Sequence, residues 1–318
     1  LLSKGYSFLP FQQYLEHPIH ERIIILRHDI DLLPQNAQEI AKIEYELGIR
    51  STYFFRIIPE TFKPEIIKEI AYLGHEIGYH YEDLTLAAKK RQGDKETKRL
   101  RDIGTETDGG TGFPFRGSRG ELGKKTERQK TASSQHVETP GRASNNGRAS
   151  FNGRASFNIT AHAYELFKHH LQQLRKYYPV KTICMHGSPK SKYDSKDIWK
   201  KYDYRKLGII GEPYFDMDFD EVFYLTDTGR RWDGWKTSIR DKVPQQQTWE
   251  KQGLLFHTTK DIIKAAENNQ LPGKIMITTH PQRWTNKPVP WIKELIWQRI
   301  KNTGKYLLNQ KKNIHLNP

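Results

Sequence analysis

The stretch Arg27-His28-Asp29-Ile30-Asp31 closes an aliphatic run, Ile23 to Leu26, with an arginine, a histidine and two carboxylates. Aliphatic runs of this kind build buried strands, and charged groups are almost never buried unless they are paired or bind something. The end of this strand therefore reads as a site. Alternation along a strand puts Asp29 and Asp31 on one side with Ile30 on the other, and two adjacent carboxylates both stay ionised cheaply only beside a cation. His80, His186 and His280 likewise stand at the ends of apolar segments. Imidazoles joined to carboxylates form a mixed N/O set suited to a divalent transition metal with positions left open for water and substrate. A structural alternative stands beside this one: Asp31 caps the helix that begins near Pro34, and Asp29 pairs with Arg27.

These residues need elements that bring them together. Strand-like segments are expected at Ile23–Leu26, Ser51–Ile57, Glu76–His80 and Lys181–Gly187, then at GIIGEPYF, EVFYLTD, GLLFHTT and KIMITTH. Helical spacing alternates with them at Pro34–Leu47, Pro64–Leu73, Ala161–Tyr177, Asp261–Asn268 and Pro290–Leu308, with Pro at or near several starts and Gly48 and Gly74 as stops. Such alternation predicts an α/β fold with parallel strands. In an α/β barrel every strand delivers its C-terminal end to one face, so Asp29, Asp31, His80, His186 and His280 would converge there.

The chain of 318 residues has 7 Trp, 16 Tyr and 14 Phe, enough bulky apolar material for a sizeable core. A single cysteine, Cys184, excludes an intramolecular disulfide framework. No apolar run is long enough to span a bilayer and no secretory signal pattern opens the chain, so a cytoplasmic protein is expected; a start at Leu1 without methionine leaves an upstream segment open. Much of the net charge of +15 is local. Residues 89–158 hold 16 Lys and Arg against 8 Asp and Glu, contain no Trp or Tyr, and end in the repeat GRASNN-GRASFN-GRASFN. This composition reads as a disordered insertion, and the expected organisation is a first barrel part over 1–88, the insertion over 89–158 and a second barrel part over 159–318. Nucleic acid is not the expected partner. Arg, Gly and two Phe in the repeat are the only hint of one, and they keep open a reading in which the insertion is the working part.

The ordered motifs IIILRHDID, GIRSTYFF, LGHEIGYH and MITTHPQRW resemble the polysaccharide deacetylase superfamily, the NodB-homology fold, from about Arg22 to His280 outside the insertion. The resemblance implies a distorted (β/α) barrel and a metal-dependent hydrolase, with zinc as the expected ion, that removes acetyl or other acyl groups from an N- or O-acetylated sugar or polysaccharide precursor. It makes Asp29 the catalytic base, Asp31 and His80 metal ligands and His280 the group that protonates the leaving atom. The family's two acids are usually adjacent, whereas Ile30 separates them here as in a variant branch, and the two roles are open to exchange. The family's second histidine, four residues after the first, is Leu84 in this chain. His186 is the expected third ligand, with Glu82 and Asp83 behind it. Arg27, Arg231, Trp232 and Trp284 are the expected substrate contacts, the aromatics for stacking on sugar rings. The alternative on the same fold is a non-catalytic carbohydrate-binding protein that has lost its metal.

Overall fold

The computed structural model describes residues 1–17, 22–91, 158–188, 191–236, 238 and 240–314. The expected insertion lies outside the described residues from 92 to 157. Seven parallel strands form one curled sheet: β1 (Ser7–Leu9), β2 (Ile23–Ile30), β3 (Thr52–Phe55), β4 (Glu76–Tyr81), β5 (Ile183–Met185), β6 (Phe223–Thr226) and β7 (Lys274–Thr279). The order is β5-β4-β3-β2-β7-β6. The long central β2 is shared: its Ile23–Ile25 half pairs with β1 and its Arg27–Ile30 half with β3, while β7 runs along Ile23–His28. This is an α/β architecture with a half-barrel sheet.

Helices cover the sheet. α1 (Phe11–Glu16) follows β1, α2 (Pro34–Glu46) and α3 (Pro64–Tyr72) follow β2 and β3, and α4 (Asp83–Arg91) follows β4. α5 (Ile159–Arg175) precedes β5, the short α6 (Pro213–Asp216) precedes β6, α7 (Gln246–Lys251) and α8 (Thr259–Glu267) precede β7, and α9 (Pro288–Ile314) closes the chain. α2 buries Ala37, Ala41 and Glu44 at the helical spacing read from the sequence. One core cluster packs α2, α3 and α5 on β3, β4 and β5; another joins β2, β6, β7 and α8 through Phe54, Cys184 and Trp249. Between them Gly78 of β4 lies opposite Phe54, where a Cβ would sit 2.3 Å from the ring. Among the described residues no helix is long and apolar enough to cross a membrane.

Two expected strands take other forms. GLLFHTT is a connector: Gly253 at φ 80° ends α7, Thr258 caps α8 through a capping box, and Phe256 is buried from the loop between them. In GIIGEPYF only Gly211 makes an isolated parallel bridge, to Thr182, before Glu212 caps α6 with Pro213 in its first turn. Three-residue β1 carries too little pattern to be read from the sequence.

Glu212 yields the first testable consequence. Its carboxylate accepts the backbone N–H groups of Met185 at 3.0 Å and Tyr214 at 2.6 Å, yet burial outweighs them and pushes its pKa up from 4.5 to about 7. A raised acid binds its proton more tightly when folded, so its stabilisation is complete below about pH 4.5 and is lost as pH rises through about 7. Urea unfolding at pH 5 and pH 8 should show a decline of up to about 3 kcal/mol, and Glu212→Gln should flatten it. An unchanged slope in the variant would remove Glu212 as its source.

Candidate metal centre

Asp29, Asp31, His80, His186 and His280, the carboxylates and histidines expected to converge, sit at the C-terminal edge of the sheet, and the structure adds Asp227 to them. Asp29 and His80 lie near the ends of β2 and β4, and Asp31, His186, Asp227 and His280 directly follow, or come one residue after, β2, β5, β6 and β7. In a flat sheet β2 and β4, two strands apart, would hold their side chains about 10 Å from each other. Sheet curl and the reach past the strand ends close that gap. Asp31 Oδ1 stands 2.9 Å from His186 Nδ1 and 3.5 Å from His80 Nε2, and the two nitrogens are 3.2 Å apart. Ligand atoms about 2.0–2.1 Å from a tetrahedral zinc are about 3.3 Å from one another, so this triangle has the size of one coordination face.

The surroundings agree with a metal. His80 Nδ1–H donates to the Cys184 carbonyl at 3.0 Å, which leaves its Nε2 lone pair turned to Asp31 and His186. Gln282 Nε2 donates to Asp31 Oδ2 at 3.2 Å and Arg56 to the Asp31 carbonyl at 3.1 Å, fixing the carboxylate from behind. Asp29 Oδ1 is buried without a hydrogen-bond partner. Such an orphaned carboxylate oxygen is costly unless a cation answers it. Burial pushes the Asp31 carboxyl up, but the imidazoles of His186, His80 and His280 overcome it and hold the group well below the usual range. A second group, Asp29, His80 and Cys184, also lies close together. There the Arg27 guanidinium stands 2.8 Å from the Cys184 sulfur and burial pushes the thiol's pKa up, so a cation is already present and the thiolate is disfavoured.

Leu84, the position where the resemblance would place a second histidine, is an apolar core residue. It packs in a small buried cluster with Ala87, Ala163 and Ile198 as α4 departs. The alternatives at 82 and 83 are engaged as well: Glu82 pairs with Arg56, and Asp83 binds the Tyr79 hydroxyl at 2.8 Å and His170 Nδ1 at 2.7 Å. His186, from the neighbouring strand, is the residue that completes a candidate metal-binding group with Asp31 and His80. Leu84→His should therefore bind metal no better than wild type and should cost at least about 2 kcal/mol by opening this cluster to a polar ring. Tighter metal binding in a zinc titration of that variant would overturn this account.

No protein-family model, curated protein or solved structure matches this chain. The remaining groups are thus read from their own geometry. Asp29 Oδ2 lies 3.5 Å from Arg27, which also donates to Thr278 Oγ1 at 2.6 Å and to the Tyr224 hydroxyl at 3.3 Å. Arg27, expected to touch substrate, is only 1% exposed and holds Asp29 from below instead. Asp29 lines a cavity of about 230 Å³ that also holds the triad and His280, and its Oδ1 is buried without a hydrogen-bond partner.

On the other flank His280 Nδ1–H donates to Asp227 Oδ1 at 2.6 Å, leaving Nε2 3.9 Å from Asp31 Oδ2. Asp227 is gripped further by Arg283 at 2.6 Å and by the Trp284 indole N–H at 2.7 Å. Burial raises the Asp227 pKa, but Arg283 and His280 more than offset this and keep it a carboxylate. Burial and Arg283 oppose a proton on His280, yet Asp227 and Asp31 hold its pKa above the ordinary 6.5.

The other expected substrate contacts lie apart from the triad. Trp232 and Trp284, with ring centroids 6.3 Å apart, line a separate cavity of about 330 Å³ with Arg230, Arg231 and His257. Arg231 is paired with Asp233 at 2.7 Å, and Trp232 donates to Thr259 Oγ1 at 3.0 Å. This cavity meets the metal cavity at Arg283. Sequence reasoning missed Gln282 and Arg283, although both sit in the quoted string HPQRW, and it missed Asp241, which gathers the hydroxyls of Tyr214, Tyr224, Thr226 and Thr228 at the cavity wall. Gln298 and Lys301 of α9 also line the cavity and carry no sequence signal beyond helical amphipathicity.

Proposed function

We propose that the protein is a metal-dependent hydrolase of the polysaccharide deacetylase type that removes an acyl group from an N- or O-acylated carbohydrate, with zinc as the ion. One observation carries this reading: Asp31, His80 and His186 form a ligand-sized triangle in the cavity that Asp29 and His280 also line, and Asp227 holds His280 from outside it. When bound, such an ion acidifies water and polarises a carbonyl.

The chain's own groups supply the rest. Asp29 Oδ1 is free to accept a proton from attacking water, and Arg27 keeps that carboxylate oriented. His280, protonated at Nδ1 toward Asp227, presents Nε2 to the cavity and delivers a proton to the departing amine or alcohol. Arg283 and Trp284 hold Asp227 so that the imidazole keeps this orientation. The test is elemental analysis of purified protein joined to acetate release from N-acetylglucosamine oligomers and acetylated xylan. About one equivalent of zinc with release of an acyl group, acetyl or longer, from such a carbohydrate supports the proposal. A protein that stays metal-free after zinc supplementation would sink it.

A further inference from the structure

Two cavities meet at the triad, and they differ in chemistry. The first, of about 230 Å³, contains Asp29, His80 and His280 and is walled by Thr228, Ser238, Arg240 and Asp241. The second, of about 720 Å³, is walled by Leu32 and Leu33 after β2 and by Ile296, Trp297 and Ile300 of α9. Asp31, His186, Arg283, Gln298 and Lys301 border both. All five apolar residues are 46–58% exposed, an apolar patch of the kind that marks binding surfaces.

We propose that this apolar groove takes the acyl chain of the substrate, so that the group removed is a medium- or long-chain acyl rather than acetyl. The inference rests on the hydrolase reading above and deepens it. In hydrolysis water oxygen bonds to the carbonyl carbon, the bond from that carbon to nitrogen or oxygen breaks, and the leaving atom gains a proton; the products are a carboxylic acid and a free amine or alcohol. His280, the proton donor, lines only the polar cavity, so the leaving half lies there. The carbonyl carbon must stand by Asp31 and His186, and what continues from it on the far side enters the groove that those same residues border. The acyl half therefore meets Leu32, Leu33 and α9. Lys301, at the junction, complements the carboxylate that forms.

Leu33 adds an independent observation. It is 51% exposed and sits at φ 51° immediately before Pro34, a left-handed conformation that Asn or Gly adopts easily and leucine does not. An exposed leucine kept in a strained conformation on the wall of a groove points to a contact that only an apolar side chain makes.

The test uses the full-length, zinc-loaded protein with 4-nitrophenyl acetate and octanoate, beside equilibrium binding of the fluorescent chain probe 11-(dansylamino)undecanoic acid. Each methylene withdrawn from water is worth roughly fourfold, so kcat/KM for octanoate should exceed that for acetate by at least about tenfold. Leu33→Asn should reduce the ratio to within about threefold and weaken the probe correspondingly, while its Tm stays at or above wild type because the backbone strain is relieved. Ile300→Asp, on the exposed face of α9, should do the same. A wild-type ratio near one, a wild type that does not bind the probe, or a ratio untouched by both variants would overturn the inference and leave the hydrolase reading standing. Cleavage of neither ester by zinc-bound protein would overturn both.

Discussion

Asp29→Asn should lower kcat by about three orders of magnitude while the protein keeps its metal. General-base catalysis contributes typically 10²–10⁴-fold, and the substitution removes the proton-accepting oxygen with almost no change of shape. The triangle of Asp31, His80 and His186 does not include Asp29, so zinc content should match wild type. Arg27 loses an ionic partner but retains Thr278, Cys184 and Tyr224. Some loss of stability is expected from that buried guanidinium, and a thermal melt run in parallel separates it from loss of chemistry. Metal analysis beside single-turnover acyl release makes the measurement. If Asp29→Asn lost zinc to the same extent as Asp31→Asn, the two carboxylates would share coordination and the division of labour drawn here would fail.

The second large effect concerns the ligands. His80→Ala and His186→Ala should each weaken zinc binding by more than the 10–100-fold that loss of an outer partner costs, and should abolish acyl release. Wild type should be more stable by about 2.7 kcal/mol at a zinc concentration a hundred times its Kd, a shift that chelation reverses and that both variants lack. Zinc titration by calorimetry and chelator-dependent melting read the same quantity in two ways. The His186 variant is the more telling, because His186 is the member of the triangle that the motif resemblance itself does not supply. Undiminished zinc affinity in His186→Ala would return the third ligand to Glu82 or Asp83, against the pairing of Glu82 with Arg56 and of Asp83 with Tyr79 and His170.

Much of this centre was legible from chain order alone, because parallel strands send their C-terminal ends to one edge. Asp29, Asp31, His80, His186 and His280 were all named from the aliphatic runs before them, and all five line one cavity. Periodicity likewise located β2, β3, β4, β6 and β7 to within a few residues. It failed where side-chain context decides. Arg27 is as polar as any substrate-binding arginine in sequence, and only the positions of Thr278, Cys184 and Tyr224 show that it faces inward. Trp284 was read as a sugar platform, and its indole N–H proves to hold Asp227. GLLFHTT has the composition of a strand, but a glycine stop and a threonine cap on either side leave it no room to pair. The apolar wall of α9 was invisible because an amphipathic helix looks the same whether its apolar stripe meets a core or a ligand.

The sharing of β2 has a consequence for how the protein is made. Its Arg27 and His28 side chains bond to Thr278 and Thr279, 251 residues later in the chain. While the ribosome is still at work, β2, β3 and β4 can pair among themselves but remain open on both outer sides, β4 awaiting β5 and β2 awaiting β7. Unpaired parallel edges of this apolar sequence are sites for intermolecular association, and pairing across so long a separation is slow. The half-barrel can be completed only once translation has passed residue 279, so these edges stay open to neighbouring chains until β7 is made.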